Sequence, residues 1–204
     1  MTIGIANNLR VASRVLGSGI LWAGLATPVA NARLTLATVD ADGLYTPLLA
    51  ENPTAYAVGA TKDGTVASVK STSQDYFIDE ILTPIDRKLQ MVEMSIKASL
   101  IGLTDPKVTQ LLMQGFGTYS TGAGYNQNTI GYAAEAFTGM ALIAPLREDP
   151  TKTFIFHMYK AISEGGIEIA ANHKEMSASA TTFKGYAIAT RLLTDQIGNY
   201  WTVI

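Results

Sequence analysis

No cysteine occurs in the 204 residues. Disulfides, thiol nucleophiles and thiolate metal sites are excluded together. Histidine is almost as scarce, with only His157 and His173 present. Neither shows a triad spacing with a serine, and neither has the neighbouring ligands that a metal site needs. Charge is thin as well: 16% of residues are Asp, Glu, Lys or Arg, against about a quarter in typical soluble domains. The 15 basic and 17 acidic residues nearly cancel, leaving a net charge of −2, and no basic block occurs. Stable gripping of nucleic acid is therefore not expected, because it needs clustered Lys and Arg to displace counterions from phosphates. A hydrophobic content of 48% fits two descriptions equally well. Either partners cover much of the surface, or this is an ordinary β protein rich in Ala and Val.

The chain is long enough for one domain with a real core. Near the N-terminus, Arg10 and Arg14 precede an apolar stretch from Val15 to Val29, followed by Ala30-Asn31-Ala32. The order imitates an export signal, but Gly17, Ser18, Gly19 and Gly24 dilute the apolar run. We read an N-terminal arm over about residues 1–18. No apolar run is long enough to span a membrane.

Most of the remainder reads as strands. Leu34 and Leu36 alternate with polar neighbours, and Asp40-Ala41-Asp42-Gly43 forms a turn. Pro47, Asn52 and Pro53 keep a long loop irregular over about residues 37–54. Ala55 to Ala60 and Thr65 to Lys70 read as strands joined by a hairpin turn at Lys62-Asp63-Gly64. Pro84 suits a bend or an edge. Leu89 to Leu100 has the longest period-two pattern. Val92, Met94, Ile96, Ala98 and Leu100 fall on one face and are expected in the core. Glu93, Ser95, Lys97 and Ser99 fall on the other and are expected to meet water.

One helix follows. Thr104 and Asp105 can cap it, Pro106 fits the first helical position, and Val108, Leu111 and Leu112 make an apolar stripe ended by Gly115. Gly117 to Gly131, rich in Gly, Ser, Thr and Asn, reads as a loop. Gly139 to Ala144, Lys152 to Ala161, Ile167 to Ala170, Thr181 to Thr190 and Asn199 to Ile204 read as further strands. No repeat or domain boundary interrupts residues 1–204. The expected fold is mainly β: two packed antiparallel sheets, sandwich-like or barrel-like, flanked by one α-helix.

Patterns that carry chemistry are weak throughout. Leu16-Gly17-Ser18-Gly19 lacks the full nucleophile-elbow pattern. Gly115-Phe116-Gly117 and Gly122-Ala123-Gly124 lack the strand-then-helix setting of a phosphate loop. Asp40, Asp42 and Gly43 lack the remaining ligands of a calcium loop. Glu93 with Glu80, or Asp63 with Asp75, could be imagined as a carboxylate pair, but nothing in the sequence unites them. No catalytic, cofactor or metal residues are assigned, and an enzyme is not expected.

Two stretches carry a resemblance. The first runs from Val58-Gly59-Ala60-Thr61-Lys62-Asp63-Gly64 through Leu82-Thr83-Pro84-Ile85-Asp86 and the long amphipathic strand to the helix. The second includes Ala144-Pro145-Leu146-Arg147-Glu148-Asp149-Pro150-Thr151-Lys152, Tyr159-Lys160-Ala161 with Gly165-Gly166, and Thr182-Phe183-Lys184-Gly185-Tyr186-Ala187. In order and texture, residues 55–204 resemble the tail tube proteins of long-tailed bacteriophages. The Gly-rich stretch from Gly117 to Gly131 and the apolar N-terminal segment depart from that pattern.

The resemblance implies a structural virion protein, assembled in the host bacterial cytoplasm into the phage tail. Its subunits would close into hexameric rings and stack into a hollow tube that conducts DNA during ejection. Its partners would be copies of itself and other tail proteins, with DNA only as transient cargo and no membrane. Glu93, Ser95, Lys97 and Ser99 would face either the lumen or the outer surface. The alternative from another class is a secreted β-sandwich adhesin or pilus-like binding subunit, using its N-terminal stretch as an export signal or donor strand. A hydrolase on a β-sandwich is the third reading.

Overall fold

The structure of the chain is a computed structural model. It describes residues 19–29, 32–37, 45–59, 61–78, 81–101, 105–114, 117–131, 136–146, 149, 151–167 and 178–203. Arm residues 1–18, Asp40 to Gly43, Glu80 and His173 lie outside the described residues, as does the expected strand beyond Ile167.

Ten strands follow in chain order: β1 (Ile20–Leu25), β2 (Tyr56–Ala57), β3 (Thr61–Ile78), β4 (Ile81–Ile101), β5 (Gly117–Gly122), β6 (Tyr125–Ile130), β7 (Thr138–Pro145), β8 (Thr153–Ser163), β9 (Ala178–Gly185) and β10 (Gly198–Val203). The helix α1 (Pro106–Leu112) lies between β4 and β5. Eight strands form one antiparallel sheet in the order β2-β1-β7-β8-β9-β4-β3, with β10 attached to β8. β5 and β6 form a separate hairpin.

The expectation of a mainly β, antiparallel fold with a helix holds, but the expected two sheets are one forked sheet. The fork is on β8. Thr153–Met158 pairs with β10, whereas Ala161–Ser163 pairs with β9 on the same edge. An extra residue on β8 opposite Thr138–Met140 of β7 marks the hand-over. There the Tyr159 amide donates to the Ile197 carbonyl, and the Lys160 carbonyl accepts from the Tyr186 amide. Such a bulge bends a strand and re-aims its neighbours. The strand order does not close on itself, so the sheet is not a barrel.

Both wings of the fork share one core. Met94, Ile96, Ala98 and Leu100 of β4 pack with Met140 and Leu142 of β7, Phe154, Phe156 and Met158 of β8, and Phe183 of β9. Burial of each large side chain contributes on the order of 1.5–3 kcal/mol. The helix closes one side of this core. The Asp105 carboxylate accepts from the Lys107 amide at 2.9 Å, Pro106 opens the first turn, and Val108, Leu111 and Leu112 are buried. These match the sequence expectation for cap, start and stripe.

β7 and β8 are buried on both faces. Residues 26–29 and 32–37 cover their outer face: Leu34 is buried with Leu25 and Ala141, against Trp22, Leu36 and Trp201. A bulge at Gly24, whose φ is +75°, sends Leu25 to this side while Leu21 and Ala23 face the main core.

Three local expectations are corrected. Lys62-Asp63-Gly64 is not a hairpin turn but an irregularity inside β3, and β2 pairs with β1 instead. Gly117 to Gly131 is not a loop but the hairpin β5–β6, turning at Ala123-Gly124, where Gly124 has φ +82°. Val92 is not in the core: it is 39% exposed, because the sheet body has already ended where β4 reaches it.

Candidate functional site

The outer face of β4 and the ribbon that β3 and β4 form beyond the body make up the candidate site. β4 pairs with β9 from Ser95↔Lys184 to Ile101↔Ala178, and with β3 along its whole length. This register builds rows across three strands: Val66–Lys97–Thr182, then Ser68–Ser95–Lys184, with Lys70–Glu93 beyond. Period-two alternation puts Glu93, Ser95, Lys97 and Ser99 together on the face opposite Met94, Ile96, Ala98 and Leu100.

Those four do not share one environment. Lys97 is exposed, Glu93 and Ser99 are half-buried, and Ser95 is buried. Ser95 therefore departs from the expectation that it meets water. Its hydroxyl lies 2.8 Å from that of Ser68 directly across the pair, and the two satisfy each other beneath longer neighbours. Glu93 reaches Lys184 at 3.5 Å, and Lys184 reaches Glu164 at the same distance. Glu164 first and Glu93 second hold the Lys184 ammonium above its usual range. These groups are open to solvent, so the pairs set orientation more than stability. A shallow groove runs beside them, lined by Val66, Lys97, Ser99, Glu164, Ala180 and Thr182. The face is thus polar, flat and nearly balanced in charge. It can lie beside a charged polymer without gripping it, since clustered cations would be needed for that.

The sequence did not disclose Lys184 and Glu164, because both come from strands and turns remote from β4. Asp63 and Asp75, imagined as a carboxylate pair, stand twelve residues apart (75 − 63) along β3. Among the described residues no group of three His, Asp or Glu side chains is placed to hold a metal ion. No helix among them is long and apolar enough to cross a membrane.

The ribbon is the second part. Beyond Ser95 no third strand among the described residues accompanies β3 and β4. β4 continues for another fourteen residues, from Ser95 back to Ile81 (95 − 81), which is about 45 Å at ~3.3 Å per residue. Its described side chains from Lys88 to Val92 are exposed on both faces. Leu89 is 63%, Met91 51% and Val92 39% accessible. Val92 lies opposite Ser71 and Leu89 opposite Ser73, on the side that Ala67 and Val69 turn to the core. The apolar stripe of the core therefore runs off the body and continues along the ribbon. A two-stranded ribbon alone is marginal in water. The hairpin β5–β6 is a second exposed ribbon, with Tyr125 and Ile130 open to solvent. No protein-family model matches the chain, and no curated protein matches its sequence.

Proposed function

We propose that the chain is a structural subunit that assembles with copies of itself, as the tail tube protein of a long-tailed bacteriophage. The observation that carries this reading is the apolar stripe that leaves the core at Met94 and continues, exposed, through Val92 to Leu89. Exposed apolar stripes of this kind mark contact surfaces. A ribbon about 45 Å long reaches far enough to lie on the body of a neighbouring copy.

Two further features support assembly. Among the described residues β3 is the last strand of the sheet order, and an edge strand is a place where another chain can pair. The ribbon and the body are different surfaces, so a contact between them is head-to-tail, and such contacts close into rings or continue as filaments. In this reading the polar face with Glu93, Ser95, Lys97 and Ser99 lines the channel. Its near-neutral balance lets DNA slide past instead of binding it. The chain then has no catalytic task.

Sedimentation velocity over a concentration series, with negative-stain microscopy of the fastest species, tests the proposal. Rings or tubes with a central channel are expected. A monomer that persists at high concentration, even with nucleating tail-tip components present, would refute it.

A further inference from the structure

A second feature lies on the opposite wall of the molecule. Trp22 of β1, Ala141 of β7, His157 of β8 and Asn199 of β10 stand directly opposite one another across four strands. They form one row on the outer sheet face. His157 is 0% exposed, and neither ring nitrogen has a hydrogen-bond partner among the described residues. The Trp22 Nε1 and Asn199 Oδ1 atoms in the same row also lack partners there. Buried polar atoms are normally paired, so three such residues in one row make this the least satisfied part of the interior.

Residues 26–29 and 32–37 lie over that row as a strap. Side-chain clamps and one isolated bridge, Leu36 to Pro47, hold it instead of a strand ladder. Arg191 donates to the carbonyls of Pro28 and Val29, the Asn199 amide donates to the Ala32 carbonyl, and Asn52 accepts from the Ala26 amide. Leu34 and Leu36 supply the apolar grip. Arg191 is in turn paired with Asp195 and stacked over the Tyr159 ring at 4.2 Å, and the Tyr159 hydroxyl donates to Asp195 at 2.6 Å. The Tyr159 ring stands edge-on to His157 at 5.1 Å.

We propose that this strap is an acid-released cover, with His157 as its trigger. The groups around the imidazole decide the sign. Trp22, Ala141, Asn199, Ile155 and Trp201 bring no charge from β1, β7, β8 and β10. From the strap come Leu34 and the Ala32 carbonyl, while Arg33 is exposed to solvent. Among the described residues the charged groups on this side are Arg191 and Asp195, with Glu51 exposed beside the strap, and the Asp195 carboxylate is already engaged by Arg191 and Tyr159. A proton on His157 would thus create a buried cation near a guanidinium and, among the described residues, without a carboxylate of its own. Burial first and the Arg191 charge second oppose that proton. Relief requires water, and the strap is the element least tied down. β8 is paired with strands on both sides, whereas the strap would lose its clamps, two leucines and the two backbone hydrogen bonds that join it to Thr46 and Leu48. Lifting it would wet His157 and bare the apolar face carrying both tryptophans, whatever the chain assembles into.

Trp22 and Trp201 are the only tryptophans, and both pack at the strap, so intrinsic fluorescence reports on it directly. Purified protein would be titrated from pH 7 to pH 4, following tryptophan emission, acrylamide quenching and far-ultraviolet circular dichroism. A red shift and increased quenching, with a midpoint between pH 4 and 6.5 and an unchanged far-ultraviolet spectrum, are expected. His157→Phe should show flat emission over the same range. The proposal is overturned if wild-type emission does not move, or moves only together with loss of the β signal. It also fails if His157→Phe retains the transition while Asp195→Asn removes it. Should His157→Phe not fold, amide exchange of the wild type decides: protection factors of Ala26, Ala37 and Leu48 should fall at low pH while those of β7 and β8 hold. Uniform loss would refute the strap.

Discussion

Replacing Leu89 and Val92 by threonine separates the ribbon's role in assembly from its role in folding. Threonine has the β-branched shape that strands favour and removes the apolar character. In the isolated chain the two side chains are 63% and 39% exposed, so the folded monomer already holds part of their burial and should lose no more than about 2 kcal/mol. The assembled state is different. Full burial of such a side chain contributes about 2 kcal/mol, and the exposed fraction sets how much remains to be gained on docking. That is about 1.3 kcal/mol for Leu89 and about 0.8 kcal/mol for Val92, or about 2 kcal/mol per contact. At ~1.4 kcal/mol per decade this weakens each contact roughly thirtyfold. The critical concentration for assembly, read by light scattering, should rise at least that much, while the melting temperature of the unassembled chain falls by no more than about 8 °C. An unchanged critical concentration would refute the docking role. A larger fall in melting temperature would show instead that the stripe belongs to the folded body.

Other substitutions probe other parts. Leu111→Asp puts a charge into a site that is 2% exposed and should cost more than about 3 kcal/mol in urea unfolding; an unchanged midpoint would place the helix stripe on the surface. Glu93→Lys should leave monomer stability within about 1 kcal/mol, because the Lys184 pair is solvent-screened. If the chain forms a tail tube as proposed, the same substitution should make DNA ejection slow and salt-dependent, and normal ejection at low salt would remove Glu93 from the channel. His157 adds a pH term. Its folded pKa is pushed down to about 4 from 6.5, so between those values the unfolded chain binds more protons than the native one. Stability is therefore complete above pH 6.5 and falls as pH drops toward 4, by up to about 1.4 kcal/mol per unit. Urea midpoints at pH 7 and pH 5 should differ more in the wild type than in His157→Phe.

Much of the body could be read from the sequence because alternation fixes faces. The parity of Met94, Ile96, Ala98 and Leu100 against Glu93, Lys97 and Ser99 is what β4 shows, and Asp105-Pro106 does open the helix. The same alternation misled at Val92. A period of two says which side a residue takes, not whether anything lies on that side, and the body ends at Ser95. Ser95 itself is buried because Ser68 stands opposite, a fact held in another strand. The polar composition of Gly117 to Gly131 hid a hairpin, since a strand such as β6, exposed on both faces from Gln127 to Ile130, carries no hydrophobic pattern. The row through His157 was out of reach for a further reason. Its four members are spread from residue 22 to residue 199, and only the register of three strand pairs aligns them.

The fork on β8 has a mechanical consequence. A pull on the ribbon passes along β4 and crosses to β9 through seven residue pairs, Ser95↔Lys184 to Ile101↔Ala178. From β9 the load reaches β8 through only three, Ala161↔Gly185, Ile162↔Lys184 and Ser163↔Phe183. Backbone ladders share shear among their bonds, so the shortest ladder carries the most per bond. Under tension the joint between β8 and β9 is the first to part. The two wings then separate with the ribbon still fastened to β9 and the tryptophan face still fastened to β8.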